Sequence, residues 1–368
     1  MWQEGELHEW WESRRATTRL EGVALKKFLL RELQAHMDEL KGSVTRYPDQ
    51  GLPRPRKRGK NRQITEKSNK KVFGNCPVAS PKTMCCNLYT IDAVENCVYG
   101  CSYCAIQTFY DKNVVFDEDF RVKLEAIPID PERFMHIGTG QSSDSLIWGN
   151  RNGILDALLA FAAKHANVLL EFKTKSDNIQ HFLENEVPSN VVCSWSLNTP
   201  TIVKNEEHFT ANLERRLAAA RQVADLGIQV AFHFHPMIHY HGWERDYPDI
   251  AQRIMDSFDP AEVSFISFGS LTLIKPVAKK IRSLNLPTKI LQTRFEPDPH
   301  GKMSYPDEIK IALFNTMLHA FAPWREDVFQ YLCMEKSSIW QETLGYTYEN
   351  NAAFEAAFSL HTLGRIAN

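Results

Sequence analysis

A chain of 368 residues, 43% hydrophobic and 24% charged, is long enough for one large α/β domain with appendages or for two modest domains, each with a real core. Its formal net charge of −2 excludes a chain-wide polyanion-binding signal, and the eight cysteines, with no early apolar segment behind a basic start, argue for reduced thiols, metal ligands or catalysis rather than a disulfide framework. Nothing approaches 18 uninterrupted apolar residues, so a membrane partner is not expected and the expected compartment is the cytoplasm.

Residues 1–52 form a helical N-terminal region, with "LEGVALKKFLLRELQAHMDEL" carrying apolar side chains at helical spacing. Residues 53–84 form a basic linker or arm. From Arg54 to Lys71 nine lysines and arginines stand against the single acid Glu66, which suits either a solvated connector or a phosphate-contacting arm. From about residue 85 strands and helices alternate. Candidate strands are "NLYTID" (87–92), "RFMHIG" (133–138), "NVLLEFK" (167–173), "NVVCSWSL" (190–197), "IQVAFHF" (228–234) and "EVSFISF" (262–268). Amphipathic segments such as "ILDALLAFAAKHA" and "ANLERRLAAARQVADLG" lie between them, the second closing at Gly227. Six β/α units predict an α/β fold with a parallel sheet, a partial (β/α)6 TIM-type barrel over 85–290. A C-terminal capping and substrate-contacting region follows over 291–368.

Directly after the first strand, "ENCVYGCSYCAIQT" places Cys97, Cys101 and Cys104 in a C-x3-C-x2-C spacing. Three thiolates can hold three irons of a [4Fe–4S] cluster and leave the fourth with an open position. A zinc site of three cysteines plus histidine, or three buried thiols, are the alternatives; the zinc form would be a nucleic-acid-binding protein without catalysis. Cys76, Cys85 and Cys86 could hold a second metal but fit no strong spacing, and Cys193 and Cys333 read as core.

The spacing, and Tyr103 before the last cysteine, resemble the radical S-adenosylmethionine superfamily. "GTGQSSDSL" (138–146), "EFKTKSDN" (171–178), "SWSLNTP" (194–200) and "FHFHPMIHYHGWERDY" (232–247) resemble the spore photoproduct lyase family within it. The resemblance implies metal ligands Cys97, Cys101 and Cys104, a [4Fe–4S] cluster, and S-adenosylmethionine cleaved to a hydrogen-abstracting 5′-deoxyadenosyl radical. It also implies an electron donor such as flavodoxin or ferredoxin, and DNA carrying a modified thymine base as the partner. By position, Tyr103, Ser143, Lys175 and Ser196 resemble cofactor contacts. Asp144 serves the ribose or caps the following turn. His233 and His235 share one strand face and either touch ligand or sit in the core, with His235 grouped among the cofactor contacts. His239 and His241 neighbour the substrate, while Arg294 and Tyr305, in the "HGKMSYP" region, resemble a segment that contacts the lesion.

Two positions depart from the lyases. Gln141 stands where they carry a hydrogen-donating cysteine, and Ala105 stands where they carry a tyrosine. Tyr103 could quench the substrate radical instead, leaving a lyase. Alternatively the radical fragments or couples without that donor, or it rearranges and recovers its hydrogen from 5′-deoxyadenosine, an isomerisation, which suits this sequence best. Relatives in viral pathways hypermodify thymidine, which makes a 5-substituted thymidine such as a glycinyl adduct the expected substrate and a host cytoplasm the compartment if the source is viral. Repair of thymine dimers is the runner-up. Tyr103, Gln141 and Tyr305 are the expected catalytic positions.

Overall fold

The structure, a computed structural model, describes residues 4–55, 62–76, 82–109, 113–284 and 286–366. Its centre is an eight-stranded sheet. The strand order is Phe329–Leu332, Val263–Ser270, Gln229–Met237, Val191–Ser196, Val168–Thr174, Met135–Thr139, Tyr89–Ile91 and Phe73–Asn75. All pairings are parallel except the last, where Phe73–Asn75 runs against Tyr89–Ile91. Among the described residues no pairing joins the two edge strands, so the sheet is an open partial barrel.

The six predicted strands all form, within a few residues of their expected ends. They are legible because parallel strands are buried on both faces and read as nearly continuous apolar runs; every residue of Val191–Ser196 is buried. Helix Ile154–Lys164 buries Leu155, Leu158, Leu159 and Ala162. Helix Leu213–Ala224 starts at Asn212, whose side chain accepts from Arg215 N–H. It is followed by Gly227 at φ +80°, as expected of a glycine past a helix end.

Two strands of the sheet lie outside the expected 85–290 span. Phe329–Leu332 adds a seventh parallel strand, and Phe73–Asn75 adds the antiparallel edge. The basic stretch also differs from a plain linker. Gln63–Glu66 pairs in parallel with Val114–Asp117, Lys67 lies 3.7 Å from Asp119, and Lys70 pairs with Glu95. Residues 56–61, the densest part of the basic run, lie outside the described residues.

The N-terminal helices are Glu4–Arg15 and Gly22–Gly42. Beyond them residues 45–52 cross the barrel. Thr45 donates to Gln292 O at 2.8 Å and accepts at its carbonyl from His241 N–H at 2.8 Å, and Leu52 N–H donates to Asn205 Oδ1 at 2.7 Å. No helix of the described residues is long and apolar enough to cross a membrane.

Candidate active site

In parallel barrels the working face lies at the carboxyl ends of the strands, and the cysteine loop is found there. Cys97, Cys101 and Cys104 follow the strand Tyr89–Ile91 and the short strand Val94–Glu95. Asn96 opens the loop in the left-handed region (φ +72°), accepting from Cys97 N–H at 2.8 Å and donating to Asn113 O at 2.9 Å. Gly100–Cys101 then pairs antiparallel with Glu207–His208, and Cys104 N–H closes a turn onto Cys101 O at 3.0 Å. A side chain at Gly100 would crowd His208 and the Phe209 ring, with its Cβ at 3.3 Å from each.

Burial pushes the Cys97 thiol up, followed by the charge of Asp144 and of the other two thiols. Burial and Glu207 do the same for Cys101. Among the described residues, no three His, Cys, Asp or Glu side chains are arranged to hold one metal ion. A four-iron cluster gives each thiolate its own iron, so its sulfurs need not meet at a point. Three thiols on one pinned loop can each take one iron of such a cluster.

The loop rests on two adjacent glutamates that the sequence reading missed. Glu206 is fully buried and accepts from four groups: Tyr47 OH at 2.8 Å, Lys289 N–H at 2.9 Å, Thr288 Oγ1 at 2.5 Å and the Ser102 hydroxyl. Burial outweighs these donors and raises its carboxyl pKa. Glu207 faces the other way, into cations. Arg216 Nη2 donates to it at 2.7 Å, Lys175 Nζ at 3.0 Å, and Tyr103 OH also donates. Burial alone would raise Glu207, but Lys175 and Arg216 reverse this and hold it at about 2. Arg216, itself fully buried, completes its set on Ala211 O, Ser196 O and Thr210 Oγ1. Only the "NEE" acids hinted at this support, and a hundred residues separate them from the thiols.

Several expected site residues gather around this network. Lys175 Nζ donates to Ser196 Oγ at 2.6 Å and lies 5.9 Å from the centre of the Tyr103 ring. Ser143 and Gln141 are half-buried in the loop after Met135–Thr139, where Ser143 Oγ accepts from Trp148 Nε1 at 3.0 Å.

Three of the expected residues are engaged within the protein. Asp144 is spent on the protein itself: it accepts from Leu146 N–H, Ile147 N–H, Thr174 Oγ1 and Lys175 N–H at 2.7–3.1 Å, so it caps its turn and fixes the lysine's backbone. Tyr305 is 2% exposed, stacked on Phe295 with its hydroxyl accepting from His239 N–H at 3.2 Å; a ring so enclosed offers no face to a base. Arg294 is engaged with Glu296 at 2.7 Å on the surface. Of the expected substrate neighbours, His239 packs against Trp243 and Tyr305, and His241 is tied to Thr45 through its backbone.

Below the mouth a second polar group fills the lumen. Buried Glu171 accepts from Ser194 Oγ at 2.5 Å and meets His136 Nε2 at 2.9 Å and His233 Nε2 at 2.5 Å. The chain continues through Ser267 Oγ, which bonds His233 Nδ1 at 2.5 Å and His235 Nε2 at 3.1 Å. His233 is therefore a satisfied interior histidine, whereas His235 is half-buried at the upper end of the relay.

Comparison with known proteins agrees with this architecture. The sequence profile of the family described as "Spore photoproduct lyase" matches residues 82–296, more than half of the chain. The spore photoproduct lyase of Clostridium acetobutylicum is 23% identical over 247 residues, covering 66% of this chain and 71% of the relative. That of Bacillus subtilis is 24% identical over 217 residues, covering 55% and 62%. Among solved structures, a spore photoproduct lyase double mutant with bound AdoMet and dinucleoside spore photoproduct superposes with a TM-score of 0.61 at 21% identity, over 73% of this chain and 81% of that one. A spore photoproduct lyase complexed with dinucleoside spore photoproduct gives the same TM-score and coverage at 20% identity. The chain belongs to the spore photoproduct lyase family of radical S-adenosylmethionine enzymes.

Proposed function

We propose that this enzyme isomerises a 5-substituted thymidine in DNA, such as a glycinyl-thymidine, with Cys97, Cys101 and Cys104 holding a [4Fe–4S] cluster whose open iron takes S-adenosylmethionine. Cluster and S-adenosylmethionine, when bound and reduced by a flavodoxin- or ferredoxin-type donor, supply the hydrogen-abstracting radical. The protein's share is positioning. Lys175, aimed by Glu207 and Ser196, neutralises the methionyl carboxylate. Ser143 and Ser196 offer hydroxyls to carboxylate or ribose, the Tyr103 ring walls the site beside Lys175, and His235 faces it from the lumen. A base inside a duplex is out of reach of a barrel mouth, so the target must be flipped out at a cost of a few kcal/mol.

The observation that carries the isomerase reading is Gln141. It lies in the loop after Met135–Thr139 beside Ser143, where the lyases place their donor cysteine, and an amide has no weak S–H bond to give. Repair of thymine dimers is the second reading; it is favoured by the family and by the relatives' bound photoproduct, and needs Tyr103 as an unfamiliar donor. The test is anaerobic reconstitution followed by S-adenosylmethionine, dithionite and DNA containing glycinyl-thymidine, with the digested nucleosides separated and weighed. A product of unchanged mass and shifted retention is expected. Untouched glycinyl-DNA together with repaired spore-type photoproduct would replace the isomerase by a lyase.

A further inference from the structure

Outside the 97–104 loop the chain has five cysteines, and the fold treats one differently from the other four. Cys193 is fully buried in its strand and its thiol is shifted by burial alone. Cys76, Cys85, Cys86 and Cys333, spread over 258 positions of sequence, are drawn together at the open seam of the barrel. The backbone does this. Met84 and Glu335 form an antiparallel bridge, with Met84 N–H donating to Glu335 O at 2.9 Å, which brings Cys85 and Cys86 alongside Cys333. Cys333 N–H is fixed on Phe268 O at 2.8 Å, at the end of the last strand pairing. Cys76 N–H donates to Leu88 O at 2.8 Å and so continues the pairing of Phe73–Asn75 with Tyr89–Ile91 toward Cys86. The side chains follow: Cys86 hydrogen-bonds Cys85 and senses Cys333 and Cys76, and Cys333 in turn senses Cys85 and Cys76.

We infer that Cys76, Cys85, Cys86 and Cys333 form a second iron–sulfur cluster site, on the seam between the first and last parallel strands. Four thiols are soft ligands of the kind that select zinc or iron–sulfur clusters. Among the described residues no three such groups are arranged for one ion, here as in the 97–104 loop, and a cluster with an iron for each sulfur tolerates that spread. None of the four is in a disulfide. A cluster here would add a second link across the seam beside the Met84–Glu335 bridge, tying Cys76, Cys85 and Cys86 to Cys333.

The inference uses none of the ligands of the first cluster, which allows a clean test. The full chain carrying Cys97→Ala, Cys101→Ala and Cys104→Ala is reconstituted anaerobically with iron and sulfide, beside the unaltered chain, and both are assayed for iron, sulfide and zinc. The triple variant should keep about four irons with matching sulfide, and the unaltered chain about eight. A triple variant without iron beside an unaltered chain holding about four would overturn the second site and leave the first intact. Zinc without sulfide in the triple variant would also overturn it. A Cys76→Ser/Cys333→Ser variant guards against misfolding of the triple: it should lose about half of its iron and still cleave S-adenosylmethionine. Unchanged iron in that variant contradicts the site, whereas iron retained by the triple variant without cleavage by the unaltered chain would count only against the first.

Discussion

Glu206 and Glu207 are neighbours in sequence, both fully buried, and the fold puts them to opposite uses. Glu206 points behind the cysteine loop into neutral donors, the Tyr47, Ser102 and Thr288 hydroxyls and the Lys289 amide, and its carboxyl is raised. Glu207 points forward into Lys175, Arg216 and Tyr103 and is held at about 2. The difference separates two jobs. The region behind the loop is a hydrogen-bonded anchor that ties it to the N-terminal crossing segment. The region in front is a charged clamp that fixes the lysine expected to meet S-adenosylmethionine.

Breaking the clamp should cost most. Arg216→Leu leaves a buried carboxylate with one cation in place of two, and a loss of about 3–5 kcal/mol is expected in anaerobic denaturant unfolding. Glu207→Gln should cost more than Glu206→Gln. The first strands two cations, while at Glu206 the Ser102 and Thr288 hydroxyls can turn to accept from the new amide, limiting the loss to about 1 kcal/mol. Equal losses would mean that the two regions do not differ in kind. Lys175→Met sharpens the assignment of the clamp: the affinity for S-adenosylmethionine, measured by calorimetry on reconstituted protein, should fall roughly tenfold or more while the cluster's absorbance persists.

The lumen supplies a smaller, pH-dependent contrast. Burial and Lys173 hold His233 at about 4, against an ordinary value of 6.5, although Glu171 pulls the other way. Between those values the unfolded chain takes up a proton that folded His233 refuses. Stability should therefore fall as pH drops through this window, by up to about 1.4 kcal/mol per unit. Burial alone would raise Glu171, but His233 and His136 hold it far below the ordinary carboxyl range, so that carboxylate stays ionised throughout. His233→Gln should flatten the slope, as read by unfolding midpoints across the pH series.

The sequence carried the barrel because its strands are continuous apolar runs that need no partner to be recognised, as in "VVCSWS". It carried the thiol loop because the ligands lie within eight residues. What it could not carry depends on contacts between distant segments. Glu207 meets Tyr103 across 104 positions, His233 meets Glu171 across 62, and the short strands Phe73–Asn75 and Phe329–Leu332 acquire meaning only from their neighbours in the sheet. Tyr305 shows the reverse: the resemblance of its segment implied a contact residue, yet the fold packs its ring beside Phe295.

The most direct test of the central claim is the fate of the abstracted hydrogen. DNA carrying glycinyl-thymidine deuterated at the abstracted carbon would be turned over by the reconstituted enzyme in light water, with Gln141→Cys alongside. Isomerisation predicts deuterium kept within the product and S-adenosylmethionine pools, with Gln141→Cys diverting product and admitting solvent hydrogen. Solvent hydrogen in the product of the unaltered enzyme, matched by 5′-deoxyadenosine released once per turnover, would contradict it.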